Sequence, residues 1–551
     1  MRCNGALSNV WPHRYPSVVA HTSAENSITT VSTTDETTGT TPRRWSSGYS
    51  LGPWIVVAAL TAIYTVLSVA HYETAGAGSW DLGMFTEVIK QYAHFHSPID
   101  DIKSPGYNLL GDHFHPIIAL LGPFFLIFPS PITLLVGQAF LFSLAALPII
   151  WLGRDKISSG TGYALGIAYG LSFGISQAAD FDFHEIAFAV PIIAFALCAL
   201  VREQYRRVVW WCVALLFCKE DFGLFFVMPV GLLMSVRGEF WRGAALIVRG
   251  KVRRGADLIF LDEMFWRGMA LAATGFFATL LCVFVIIPHF NPDHSYQYWS
   301  FVNTTGTQSP QGISISPLFG HFFGTFGTKF QLLFLLAGIT AFVALRSPLA
   351  LTAVLGLASR FVVVNPAYWG IPYHYNAPVM PILFVAVADA MIRARSAGPL
   401  PDYAGGIRRF ARWLSTAMGR HGAAAALGIA VVLLWFPQFA LSQYFNLPQM
   451  FAVSPQRHAV DHAVSLVPDG VTVETNVCEL APLAARTDTF WIGWPAPKNP
   501  PVEYALIDTQ CFDISGTPIG DAVTYEQNRH PGTRYQIVYQ DNYGIYVLKR
   551  V

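Results

Sequence analysis

The segment DFHE places Asp182, His184 and Glu185 within four residues, with apolar chain on both sides. GDHFHP puts Asp112, His113 and His115 directly ahead of the apolar run 117–128. CKED sets Lys219, Glu220 and Asp221 between two short apolar runs, and PYHY adds His374 and Tyr375. Trp80-Asp81 opens a stretch with helically spaced apolar residues. A carboxylate held within hydrogen-bond reach of a hydroxyl can remove its proton. Imidazoles and a lysine can donate to an oxyanion or a phosphate. Near the centre of the hydrocarbon an ionisable group costs roughly 2.5–3.5 kcal/mol. Such groups are kept there either as an ion cluster that stabilises a helix break or as the wall of a polar cavity. A solvated turn would more often use Gly, Asn or Ser than three ionisable residues, which makes DFHE the most specific of these islands.

Asp81 and Asp182 are the candidate catalytic carboxylates. The plainer role for Asp81 is the N-cap of an interfacial helix, where its oxygens accept backbone N–H bonds. Asp112, His113, His115, His184, Glu185, Lys219, Glu220, Asp221, His374 and Tyr375 are candidate substrate-binding groups, with Lys219, His113 and His115 facing a phosphate. Tyr375 and Trp369 suit stacking on a sugar ring, although aromatic residues near an interface more often form belts. His113 and His115 also carry metal-ligand atoms, alone with Asp112 or together with DFHE. No spacing matches a standard zinc site, so no metal or other cofactor is assigned, and a divalent ion stays open.

These islands need rigid elements between them. Of 551 residues 53% are hydrophobic and only 13% charged, whereas soluble domains carry about 25% charged residues. Much of the surface must therefore face lipid. A net charge of +1 argues against a nucleic-acid partner, which calls for a basic face. Apolar stretches of about 20 residues span a bilayer, and the pattern predicts an α-helical polytopic membrane protein with about eleven transmembrane helices. The pair 208–218 and 222–236 reads as two spans or as a re-entrant hairpin. The run 117–128, broken by Pro116, Pro123 and Pro129, is too short to cross and is expected to lie in the interface.

Lys and Arg collect in alternate connections: Arg43-Arg44, GRDK at 153–156, REQYRR at 202–207 and the loop 237–267. By the positive-inside rule the N-terminus is cytoplasmic and the acid and imidazole islands lie outside. The domain reading is a disordered, Ser/Thr-rich cytoplasmic tail at 1–46. A transmembrane domain follows at 47–442 with its first outer loop at 71–131, then a small extracytoplasmic α/β domain at 443–551. In the last, RHAVDHAVSLVP reads as an amphipathic helix, and VTVET, EYALID, YQIVY and YGIYVLK as strands. Asp541–Gly544 suits a hairpin turn. Cys478 and Cys511 lie in a compartment that permits a disulfide, and sequence leaves that pairing open. Cys198, Cys212, Cys218 and Cys282 sit in apolar runs as small core residues.

Taken in order, WDLGMFTEVI, GDHFHPIIALLGPFF, DFHEIAFAVP, CKEDFGLF, PYHYNAPVMP and ETNVCELAPLAARTDTFWI resemble a family of prokaryotic polytopic membrane proteins of unknown function. That family is similar in layout to the GT-C class of glycosyltransferases. The resemblance implies a plasma-membrane enzyme that moves a sugar from a polyprenyl-phosphate carrier to an extracytoplasmic acceptor such as an envelope glycan, lipid or protein. Asp81 would match the carboxylate near the start of the first outer loop. Leu82 follows it, so the Asp-Glu or Asp-x-Asp pair of that class is missing and Asp112 or Asp182 remain alternatives. The competing readings are a transporter and a non-catalytic scaffold or sensor. A transporter would place ionisable groups near the midplane of repeated halves, and the chain shows no repeat.

Overall fold

The computed structural model describes residues 50–75, 80–298, 323–363, 365–396, 406–494, 498–511 and 520–551. The Ser/Thr-rich tail at 1–46 lies outside these residues. The described residues are mostly helical, with one small sheet near the C-terminus. Among the described residues three helices are long and apolar enough to cross a membrane: Leu51–Thr74, Pro131–Lys156 and Glu263–Phe290. A fourth candidate is Gly223–Ser235 with Phe240–Val248, a pair bent by 67°. Other apolar stretches form shorter helices, among them Ile186–Val201, Phe326–Gly338, Pro348–Val362 and Gly419–Leu433. By length and composition the described residues display three to four of the eleven expected spans. Proline and left-handed residues interrupt several runs: Ala341 and Phe342 both have positive φ, where Phe326–Gly338 ends.

α1 (Leu51–Ala75) leads to α2 (Trp80–Ala93). α2 buries Leu82, Phe85, Val88 and Ile89 and has Asp81 in its first turn. The short apolar helix Pro116–Ile127 leaves Leu120, Phe124, Leu126, Ile127 and Phe128 exposed, as a segment lying against lipid would.

Two glycines set the position of the CKED island. A Cβ on Gly223 would come within 2.3 Å of the Gly275 carbonyl oxygen, and one on Gly275 within 2.4 Å of the Gly223 oxygen. Without side chains the two helices approach backbone to backbone, as small residues allow in membranes. One turn beyond Gly275, the Thr279 hydroxyl donates to the Glu220 carbonyl at 2.7 Å and accepts from the Leu224 N–H at 3.0 Å. Gly275→Val is expected to cost about 1–3 kcal/mol, the usual range for overpacking, and to displace Glu220. Thermal unfolding of the detergent-solubilised protein measures this, and a wild-type Tm would refute it.

Behind α2, Glu87 and Asp100 are both fully buried. Burial, then the Asp100 charge, hold the Glu87 carboxyl well above the usual range. Burial, then the Asp101 charge, push Asp100 up to about 7. A raised carboxyl keeps its proton in the folded state after the unfolded chain has released its own. The resulting stabilisation is complete below about pH 4 and is lost as pH climbs towards the folded value. Asp100→Asn should therefore gain stability relative to wild type between pH 4 and about 7. Tm against pH for both proteins tests this, and parallel curves would contradict it.

In the C-terminal segment, β1 (Thr472–Thr475), β2 (Asp488–Trp491), β3 (Tyr504–Asp508), β4 (Tyr535–Gln540) and β5 (Ile545–Arg550) form one sheet in the order β2-β1-β3-β5-β4. β1 pairs parallel with β2 and β3, and β5 pairs antiparallel with β3 and β4. The β4–β5 turn uses Gly544 at φ 83°. The amphipathic helix Pro455–Leu466 forms where expected; β2 and the helix Ala522–Arg529 were not anticipated. Cys478 and Cys511 are joined by a disulfide, and the other four described cysteines are free and buried. Leu480 and Ala484 pack on Met84 and Ile102, which docks this segment on α2.

Candidate active site

One cavity of about 600 Å³ gathers most of the polar islands. Asp81 from α2, His113 from GDHFHP, His184 from DFHE, Lys219 from CKED and His374 from PYHY all line it. Asp112, His115, Glu185, Glu220, Asp221 and Tyr375 line it as well. Its apolar wall includes Phe222, Phe225, Phe226, Leu357 and Val363. The size falls within the ~300–1,000 Å³ range of ligand sites.

The ionisable side chains form separate pairs. Asp81 Oδ2 lies 3.2 Å from His184 Nε2, and the Asp81 side chain is 34% exposed. This pairing, within the first turn of α2, replaces the N-cap role considered for Asp81. His184 Nδ1 lies 3.2 Å from the Asp182 carbonyl oxygen. With an acceptor at each ring nitrogen the imidazole suits the doubly protonated form. Burial opposes that charge, but Asp81 outweighs it and raises the His184 pKa. His374 stacks on His184 with ring centroids 3.5 Å apart. Burial and the His184 charge hold its pKa well below the ordinary histidine range.

Glu185 Oε1 accepts from Lys219 Nζ at 2.7 Å. Glu220 is held by His113 Nδ1 at 2.7 Å, the Phe114 N–H at 3.1 Å and the Tyr296 hydroxyl at 3.1 Å. Burial opposes the His113 charge, yet Glu220 raises its pKa. Asp112 pairs with Lys103 Nζ at 2.9 Å and accepts from the Tyr298 hydroxyl at 3.1 Å. Burial disfavours the Asp112 carboxylate, but His113 and Lys103 hold its pKa below the usual value. Asp221 moves the other way, up to about 6, through burial and the Glu220 charge.

Two expected site residues stand apart from the cavity, and a third lines it without the expected charge. Asp182 is buried and does not line the cavity; its carbonyl accepts from Gln138. Trp369 is buried too, its indole N–H bonded to the Val363 carbonyl, and it lies outside the lining. His115 lines the cavity but is 1% exposed, and burial lowers its pKa to about 4. As a neutral ring beside Phe85 at 5.5 Å, it is a poor phosphate donor. Among the described residues Asp112, His113 and His115 do not bring three ligand atoms together as a metal site. Tyr375 stacks on Tyr368 at 4.5 Å.

Sequence reading passed over Arg360, Tyr296, Tyr298 and Lys103. Arg360 lines the cavity and spends its donors on neutral acceptors: the Tyr368 carbonyl at 2.5 Å, the Tyr375 carbonyl at 2.9 Å and Asn376 Oδ1 at 2.9 Å. Lys103 and Lys219 both meet carboxylates, so Arg360 brings a positive charge without an acidic partner among the described residues. An arginine inside the apolar run 348–364 was itself a signal, because an intramembrane charge is a functional candidate by default.

No curated protein matches the chain. Solved chains similar to it include ArnT from Cupriavidus metallidurans bound to undecaprenyl phosphate, at 14% identity and a TM-score of 0.42, covering 91% of this chain and 98% of that one. Its apo state aligns at 13% identity and a TM-score of 0.42, covering 90% and 97%. The motif series resembled a family of membrane proteins of unknown function, and a family model described as "Predicted membrane protein (DUF2079)" matches residues 73–546. The chain belongs to the DUF2079 family of membrane proteins.

Proposed function

We propose that this protein is a membrane glycosyltransferase that moves a sugar from a polyprenyl-phosphate carrier to an acceptor hydroxyl on the outer face of a prokaryotic plasma membrane. The observation that carries the reading is the pairing of opposite chemical needs in one cavity. Asp81 is far more accessible than Glu185 or Glu220, each 1% exposed, or Asp112 at 7%. It can meet an acceptor hydroxyl arriving from water. Arg360, with no acidic partner among the described residues, can meet the phosphate that leaves. Apolar rings beside them suit the isoprenoid end of a lipid donor.

In this reading the Asp81 carboxylate removes the acceptor proton as the oxygen attacks the anomeric carbon. The bond from that carbon to the phosphate oxygen breaks, and Arg360, assisted by Lys219, stabilises the charge on the departing phosphate. His184 orients Asp81. Asp112, His113, Glu185, Glu220, Asp221, His374 and Tyr375 shape the walls that hold donor and acceptor. The N-terminal tail is cytoplasmic and the sheet-bearing segment extracytoplasmic.

The test is mass spectrometry of lipid-linked sugars and envelope sugars in a strain lacking the gene. A polyprenyl-phosphate sugar should accumulate while one envelope fraction loses that sugar. Unchanged profiles in both fractions would reject the proposal. With purified protein, Arg360→Met should raise the half-saturating donor concentration by about tenfold or more, the scale of one charge-assisted hydrogen bond. Unaltered donor dependence would remove Arg360 from the phosphate site.

A further inference from the structure

Outside the cavity, the C-terminal sheet buries a second ionisable cluster. Glu474 on β1 faces Glu526 and His530, which lie four residues apart on the helix Ala522–Arg529 and its C-cap. Glu474 and Glu526 are 0% exposed and His530 is 3% exposed. One ligand atom from each lies within 4.8 Å of the others.

The hydrogen bonding is uneven. Glu474 Oε1 accepts from Arg529 and from Asn499 Nδ2, the latter at 2.9 Å. Glu474 Oε2 faces His530 Nε2 at 2.7 Å. Among the described residues both oxygens of Glu526 are buried without a hydrogen-bond partner, and so is Asn499 Oδ1; the nearest printed contact of Glu526 is Oε1 to His530 Nε2 at 3.5 Å. Buried carboxylate oxygens are rarely left this way, and an ion is one of the few things that satisfies them. Arg529 and Asn499 hold the oxygen of Glu474 that points to them and leave the other available, as outer-shell partners of a metal ligand do.

We propose that Glu474, Glu526 and His530 bind a divalent first-row transition ion, of the zinc or manganese type. Two carboxylates and an imidazole match the oxygen and nitrogen preference of such ions, and Asn499 Oδ1 is available as a further oxygen ligand. The role is structural. Arg529 donates to the Trp494 carbonyl at 2.8 Å and Asn499 to the Trp491 carbonyl at 2.8 Å. Trp491 and Trp494 pack edge-on against Trp80, at 4.5 and 6.4 Å, next to Asp81. The ion would stiffen the wall beside the cavity, and the proposal stands independently of the transferase reading.

The experiment uses the full-length protein in detergent, tag removed and purified without chelator. Elemental analysis should find about one zinc or manganese per chain after exposure to either ion. EDTA should lower Tm, and adding the ion back should restore it. Glu526→Gln and His530→Gln should each weaken retention by at least about tenfold. No ion above blank in the wild type, with Tm indifferent to EDTA and to added metal, would overturn the proposal in favour of a proton-sharing Glu–His–Arg network. Equal retention by both variants would overturn it by placing the ion elsewhere. If the variants do not fold, the wild-type stoichiometry and the chelation arm decide alone.

Discussion

Asp81→Asn is expected to lower sugar transfer by about 10²–10⁴-fold, the contribution typical of one general base, while the protein keeps its wild-type Tm. The amide matches the carboxylate in size and can still accept from His184 Nε2, which lies 3.2 Å away. At 34% side-chain exposure the lost charge was partly solvated, so its removal leaves little stability penalty. The readout is release of polyprenyl phosphate from a labelled lipid-linked sugar by purified protein. Undiminished release would exclude Asp81 as the base. Asp182→Asn is the matched comparison: Asp182 lies outside the cavity, and its substitution should cost less than about a tenth of what Asp81→Asn costs. A reversal of the two would reassign the base to DFHE.

The second large effect is on folding. Lys219→Met should destabilise the protein by about 3–5 kcal/mol, because it strands a buried charge. Glu185 is 1% exposed, and its Oε1 sits 2.7 Å from Lys219 Nζ. Burial alone would raise its pKa, yet Lys219 first, then His184, hold it well below the usual carboxylate range. Glu185→Gln in the Lys219→Met background should recover most of the loss, since a neutral amide no longer needs the counter-charge. Chemical denaturation of the single and double variants measures the coupling. Additive costs would show that the pair is not a unit. The double variant also separates two roles of Lys219: if the ammonium assists the departing phosphate, that protein is stable and still slow.

Some of this was legible in the residues themselves. The strands around Thr472–Thr475, Tyr504–Asp508, Tyr535–Gln540 and Ile545–Arg550 announced themselves by β-branched and aromatic alternation, and the turn at Gly544 by its residue type. β2 did not, because Asp488–Trp491 is four residues long and too short to show a period. Arg360 was hidden by its setting in an apolar run, where attention goes to the hydropathy of the run. The spacing of Glu526 and His530 was visible, but its partner Glu474 lies some fifty residues earlier and is joined to them only by the sheet. The Cys478–Cys511 bond was open for the same reason.

Composition and local pattern settled what kind of chain this is: 53% hydrophobic residues and 13% charged leave too little polar surface for water alone. They also marked which side-chain types stand at the edges of the apolar runs. Tertiary packing decided which of those side chains meet. It brought Asp81, His184, Lys219, Arg360 and His374 to one cavity and left Asp182 and Trp369 out of it. The division has a physical cause. Hydrophobicity and turn preference are properties of neighbouring residues, readable within a few positions. The pairing of charges over a hundred residues apart, such as Asp81 with His184 or His113 with Glu220, depends on how helices cross, which close contacts such as Gly223 against Gly275 determine only once the chain is folded.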